Sequence, residues 1–193
     1  MQPAAADGSA GDSLTGDDAL AARAALGDRA AFAEIFRRHS ASMFRYALRM
    51  LDGDHGAAED AVQDSMTQAW VHLPGFRAQS SLHTWLFTIT ASQVRAARRR
   101  RRPLPIDDGL LTAVAGADHR GPATQMLDGQ LREALDRALG ELPWRQRAAW
   151  LLFELEGLSY AEIADVLGTS PTVIRGQLHR ARGTLAVRMS QWR

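Results

Sequence analysis

The stretch Gly157–Leu185, GLSYAEIADVLGTSPTVIRGQLHRARGTL, leaves the chain little choice of conformation. Ser159 followed by Glu162 has the spacing of a capping box, in which the hydroxyl accepts from the third helical N–H and the carboxylate returns to the cap N–H. A helix begins there. Tyr160, Ile163, Ala164 and Leu167 recur at i, i+3, i+4 and i+7, which predicts one buried face, and Gly168 supplies the left-handed residue that ends the helix. A second helix is predicted at once, capped by Ser170, with Pro171 at a first position where its missing N–H costs nothing. Its apolar stripe is Ile174, Leu178, Ala181 and Leu185. Thr172, Arg175, Gly176, His179 and Arg182 line the opposite face, with Gln177 and Arg180 on its flank. A capped turn between two helices, the second presenting arginines and an amide, is how a recognition helix enters the major groove of DNA. The competing interpretation is a helical hairpin whose arginines meet only water.

The rest of the chain bears on that choice through the distribution of its charge. Net charge over the 193 residues is only +1, yet Arg95–Arg102 holds six arginines and no acid, and Ser170–Arg193 holds five arginines and no acid. Segregated cations of this kind suit a polyanion. There is no lysine, which fits codon bias better than selection for bidentate phosphate contacts. Cysteine is absent, so disulfides, thiolate-bound zinc and thiol catalysis are excluded. The apolar fraction of 46% is enough for real cores, and no apolar run reaches the ~20 residues of a membrane helix. The expectation is a soluble, cytoplasmic protein without membrane insertion.

Residues 1–16 are small, polar and acidic and read as a disordered tail. Asp17 or Asp18 is placed to cap a short helix ending at Gly27, and Asp28 to cap the next. That second helix carries Phe32, Ile35, Phe36, His39, Met43, Tyr46 and Met50 as its core stripe, until Asp52-Gly53 breaks it. His39 reads as a core or boundary histidine rather than a ligand. Asp54 opens a third helix, closed by Pro74-Gly75, with Ala58, Val62, Met66, Ala69 and Leu73 inward and Glu59, Asp60, Gln63, Asp64 and Thr67 outward. Nothing beside those carboxylates builds a low-dielectric pocket or supplies a nucleophile, so a solvated or partner-binding face is expected rather than acid–base chemistry.

A fourth helix follows the loop Phe76–Ser81, with Ser80 or Ser81 as cap. Leu82, Trp85, Leu86 and Ile89 form its apolar side. Thr84, Thr88, Ala91, Arg95, Arg98 and Arg102 form one long face that grows basic toward its end, suited to phosphate. Phe76, His83 and Trp85 at its entrance are suited to stacking on unpaired bases, although Trp85 fits a core position equally well. Residues 103–127 lose the pattern and read as a linker, able to span ~80 Å extended and averaging ~28 Å as a coil. Leu131, Leu135, Ala138 and Leu142 begin the second block, and Pro143 starts a helix whose core face is Ala148, Leu151, Leu152 and Leu155, stopped by Gly157.

Taken together, these motifs resemble the extracytoplasmic-function (ECF) group of bacterial sigma-70 factors, over nearly all of Asp17–Arg193. AEDAVQDSMTQAW (58–70) is similar to the helix with which that family grips the clamp helices of the polymerase β′ subunit. FRAQSSLHTWLFTIT (76–90) with Arg95–Arg102 resembles its segment for capturing and melting the minus-ten element. LPWRQRAAWLLFELEGLSYAEIADVLGTSPTVIRGQLHRAR resembles its minus-thirty-five reader. The resemblance implies an all-α protein of two small helical domains joined by a flexible linker, the second ending in a helix-turn-helix: region 2 at 17–102, linker 103–127, region 4 at 128–193. It implies binding to core RNA polymerase (β′ and β) through Glu59, Asp60, Gln63, Asp64 and Trp70. Minus-ten DNA falls to Phe76, Arg77, Ser80, Ser81, His83, Thr84, Trp85, Thr88, Arg95 and Arg98. Minus-thirty-five DNA falls to Ser170, Thr172, Val173, Arg175, Gly176, Gln177, His179, Arg180 and Arg182. Gln177 stands where family members commonly carry arginine, and Gly176 weakens the helix by ~1 kcal/mol relative to alanine. An anti-sigma factor is an implied further partner, with no cofactor, no metal and no catalysis.

Two other classes compete. A free-standing transcriptional regulator would share the terminal helix-turn-helix but would carry a receiver or ligand domain ahead of it, and no alternating strands are visible there. An RNA-binding factor would use the arginine-rich helix, and is separable by salt-dependent binding to duplex promoter against structured RNA. No HExxH pair and no Gly-rich phosphate loop supports an enzyme.

Overall fold

The computed structural model describes residues 16–101 and 123–190, which form eight α-helices and one 3-10 turn, with no strand among the described residues. The helices are α1 (Asp17–Ala25), α2 (Arg29–Met50), α3 (His55–His72), α4 (Leu82–Arg101), α5 (Ala123–Gly140), α6 (Trp144–Glu154), α7 (Tyr160–Leu167) and α8 (Pro171–Arg188). The expected tail, apart from Gly16, lies outside the described residues, as do Arg102 and most of the expected linker.

Capping side chains set most helix starts. Asp28 accepts from Ala30 N at 2.9 Å and Ala31 N at 3.0 Å, Asp54 accepts from Ala57 N at 2.9 Å, and Ser81 Oγ accepts from Thr84 N at 3.1 Å. Each such cap contributes ~1 kcal/mol. The first start is a correction: Gly16 is the cap of α1, and Asp17 and Asp18 occupy its first turn, where their charge favours the helix dipole instead. Helix α5 also begins at Ala123, inside the stretch expected as linker. Alanine, glutamine, methionine and leucine there are good helix formers, and the acidic, patternless composition ends before them.

Helices α1 to α4 surround one core. The inward stripe of α3 is buried throughout, and Tyr46 of α2 meets Phe87 of α4 edge-on, ring centroids 5.6 Å apart at 81°. Three residues expected in core stripes are exposed: Phe36 (46%), Leu131 (40%) and Leu155 (44%). Phe36 lies at the edge of the α2 stripe and faces an open groove, while Leu155 is the C-cap of α6, where that helix ends. Conversely, α4 is buried on two sides, with Phe87, Ala91 and Val94 enclosed along with Leu82 and Leu86.

The second block, α5 to α8, packs directly on the first. Arg147 of α6 is the central contact, only 7% exposed, with its guanidinium donating to the Asp52 carboxylate, to the Arg49 carbonyl at the end of α2, and to the Gly140 carbonyl. Asp52 reaches it from a left-handed backbone position (φ 57°) that aspartate tolerates better than most residues. A buried guanidinium needs several acceptors at once; these three serve its two terminal nitrogens, while Nε has no partner among the described residues.

Candidate nucleic-acid interface

Helices α7 and α8 form the helix-turn-helix. Both halves of the capping box are made: Glu162 Oε2 accepts from Ser159 N at 2.9 Å and from its hydroxyl at 2.7 Å, and Ser159 Oγ accepts from Glu162 N at 3.3 Å. These hydrogen bonds hold the Glu162 carboxyl below its ordinary range. Gly168 adopts φ 63° and ends α7, and Ser170 caps α8 with Pro171 at its first turn. Ile174, Leu178, Ala181 and Leu185 are all buried, which turns the opposite face outward. Ser170, Thr172, Val173, Arg175, His179, Arg180 and Arg182 are exposed, with Gly176 and Gln177 half-buried. The Arg180 guanidinium lies over Gly176, 3.6 Å from where a Cβ would stand. Arg182 is tied back, donating to Glu154 at 3.0 Å and lying 5.0 Å above the Phe153 ring, so it buttresses α6 as well as sharing the outward face.

The candidate strand-capturing residues are divided by the fold. Phe76 and Trp85 pack on each other, centroids 5.1 Å apart, against the core and partly accessible. Arg77, Ser81, Thr88 and Arg95 are exposed, and Ser80, His83 and Arg98 are half-buried. Thr84 departs from its expected place on an open polar face. It is 1% exposed, and its hydroxyl donates to Glu162 Oε1 at 2.7 Å across the two blocks. Ala91, on the same expected face, is buried too, because α4 carries neighbours on both sides. Arg95 places its guanidinium 5.0 Å from the ring centroid of Trp144. Ala78 holds a left-handed φ of 51° in the loop before α4, a conformation that an alanine does not announce.

His83 sits in a cluster of titratable groups. Its Nδ1 is 3.5 Å from that of His39, its Nε2 is 3.7 Å from Glu156 Oε2, and His39 Nε2 lies 2.9 Å from Asp17 Oδ2. Burial first, and the neighbouring His39 second, push the His83 imidazole down, while burial pushes the Glu156 carboxyl up. His39 is buried within the first block, as its position on the α2 stripe predicted. Among the described residues no group of three or more histidine, aspartate or glutamate side chains is placed to hold a metal ion.

A third surface lies on α3. Glu59, Asp60, Gln63 and Asp64 are exposed in a row, and Trp70 is half-buried, edge-on to Phe32 with centroids 4.9 Å apart. Beside that row an open groove of about 690 Å³ is lined by Phe32, Phe36, Phe44, Val62, Met66 and Trp70, with Glu59 and Gln63 at its polar edge. Among the described residues no helix is long and apolar enough to cross a membrane.

Two packed helical blocks, the second ending in a capped helix-turn-helix with an exposed cationic face, define a DNA-binding protein of the transcription machinery. Residues 35–103 match Sigma-70 region 2 and residues 132–185 match Sigma-70 region 4. The RNA polymerase sigma factor NccH of Alcaligenes xylosoxydans xylosoxydans is 30% identical over 176 residues, covering 88% of this chain and 92% of that protein. The ECF RNA polymerase sigma-E factor of Salmonella typhimurium (strain LT2) is 32% identical over 174 residues, covering 86% and 90%. Among solved structures, CnrH in complex with the cytosolic domain of CnrY superposes with a TM-score of 0.68 at 28% identity, covering 91% of this chain and 97% of that one. The sigma factor RpoE with the anti-sigma factor NepR from Bartonella quintana gives 0.62 at 25% identity, covering 82% and 96%. The chain belongs to the sigma-70 family and is an RNA polymerase sigma factor of the ECF group.

Proposed function

We propose that the chain docks on core RNA polymerase through the α3 row Glu59, Asp60, Gln63 and Asp64 with Trp70, reads the minus-thirty-five element with α8, and captures the minus-ten strand at the start of α4. The observation that carries this reading is the recognition face of α8. Its buried stripe and two caps fix the helix, so that Arg175, His179 and Arg180 project together and, among the described residues, make no ion pair of the kind that ties Arg182 to Glu154. Arginine and glutamine are suited to guanine and adenine edges in the major groove, which points Arg175 and Gln177 at bases. On this reading residues 17–102 are the polymerase- and minus-ten-binding unit, 128–193 the upstream reader and the segment between them the connection, all working in the cytoplasm. An anti-sigma factor is a further partner, as it is for RpoE with NepR.

Melting separates a sigma factor from a simple regulator. Strand opening requires that unpaired bases regain about 1–3 kcal/mol each by stacking or pocketed contact. Altering Phe76, Arg77, Ser81 and His83 together is expected to abolish transcription from duplex promoters with core polymerase. A template already mismatched across the minus-ten element is expected to be partly rescued. Permanganate footprinting decides the matter: normal thymine reactivity with the altered protein would place melting elsewhere.

A further inference from the structure

We propose that Gly176 is a positioning residue of the recognition helix: its bare backbone is the seat against which the Arg180 guanidinium rests, so that this arginine meets a guanine edge one helical turn ahead of its own Cα. The inference deepens the reading of α8 as the upstream reader and rests on it. Gly176 then acts through another side chain rather than by touching DNA itself.

Gly176 and Arg180 stand about one turn apart on α8, their Cα atoms separated by ~6 Å along the axis. A helical side chain leans toward the N-terminus and covers the turn before its own. Arg180 does this fully: both terminal guanidinium nitrogens lie 3.6 Å, and Cζ 3.9 Å, from the place a Cβ would take on Gly176. Gly183, the other glycine of α8, has nothing within 4 Å of the same place. Residues 176 and 177 bring no cation of their own to the outward face, and Arg182 is committed to Glu154. The folded-back Arg180 supplies one at that level, beside Arg175 and nearer the N-terminal end by which a recognition helix meets base edges. Arginine reads guanine through O6 and N7 together, and its planar fork must be held in place to do so. The backbone at Gly176 is not in the left-handed region, and glycine is the poorest helix former after proline, so the helix itself gains nothing from it. A single methyl group at 3.6 Å would make ordinary contact and leave the guanidinium where it is. The two γ branches of a valine would take up the room beyond that methyl and lift the guanidinium away.

Holoenzyme assembled with core polymerase, and fluorescein-labelled duplex promoters carrying each single base-pair change in the upstream element, supply the test by fluorescence anisotropy. Arg180→Ala should reduce discrimination roughly 5- to 150-fold at one G·C pair. Arg180→Lys keeps the charge without the fork and should lose the same discrimination while retaining more affinity. Gly176→Ala should preserve the discrimination, and the free protein should melt about 2–4 °C higher. Gly176→Val, no poorer a helix former than glycine, should melt no lower than the unaltered protein yet lose discrimination as Arg180→Ala does. Adding Arg180→Ala to it should cause no further loss at that base pair. An effect of Gly176→Val that persists undiminished in the Arg180→Ala background shows residue 176 meeting DNA directly and overturns the seat. Full discrimination by a folded Gly176→Val protein overturns it as well. Uniform weakening of every promoter by Arg180→Ala makes the guanidinium a phosphate contact and overturns the guanine assignment. If the unaltered holoenzyme binds all upstream variants equally, it is the reading of α8 that falls.

Discussion

The hydrogen bond from Thr84 to Glu162 joins the two blocks, and its energy is measurable by a double-mutant cycle of Thr84→Val and Glu162→Ala. Glu162 is half-exposed, so the bond, although charge-assisted at 2.7 Å, belongs at the lower end of the ~1.5–3 kcal/mol typical of that class. Glu162→Ala also removes the acceptor for Ser159 N and Oγ, worth ~1 kcal/mol as a cap, for a total near 2.5 kcal/mol. For a chain of this size that lowers Tm by roughly 5–10 °C. Thr84→Val also loses the 2.9 Å contact with Ser81 Oγ, but that loss and the cap loss each occur in both backgrounds and cancel in the cycle. The remaining coupling should be about 1.5 kcal/mol in urea unfolding at neutral pH. Additivity within ~0.5 kcal/mol would show that the two blocks do not meet at this bond in solution, and the enclosure of Thr84 would lose its energetic basis.

Reversing Asp60 and Asp64 to arginine should weaken assembly with core polymerase while shifting stability by no more than ~0.5 kcal/mol, because both side chains are exposed and make no core contact. Pull-down with the purified core checks the first part and thermal melting the second. Arg175→Ala and Gln177→Ala should each remove ~1–3 kcal/mol of discrimination at one upstream base pair, seen by comparing promoter variants, and uniform weakening across sequences would mark them as phosphate contacts. Stability should fall as pH drops below the ordinary imidazole value of 6.5, because His83 is held below that value in the fold and protonates more readily when unfolded. His39, Asp17, Glu156 and Glu162 all face this site or its neighbour, and Glu156, raised by burial, works in the opposite sense as it takes up a proton. The loss should therefore be read as a difference from His83→Gln, whose profile between about pH 7 and pH 5 should be flatter.

Local chemistry made much of this protein readable from its residues. Asp28, Asp54, Ser81, Ser159 and Ser170 cap helices where their types and spacing predicted, and Gly168 ends α7, because a cap is settled within four residues of chain. The stripes Ala58 to Leu73 and Ile174 to Leu185 are buried because a helix with one apolar face has one way to hide it. The outward residues of α3 and most of those of α8 follow by elimination. Tertiary structure alone decided what those faces meet. Periodicity assigned Thr84 and Ala91 to an open polar face of α4, but both are buried, and Thr84 is tied to the second block through Glu162. No local pattern singles out Arg147, whose burial depends on Asp52 and the Arg49 carbonyl, both distant in sequence, together with the nearby Gly140 carbonyl. Glu162 shows both levels in one side chain: Ser159 three residues away dictated one carboxylate oxygen, and the packing of α7 on α4 decided the other.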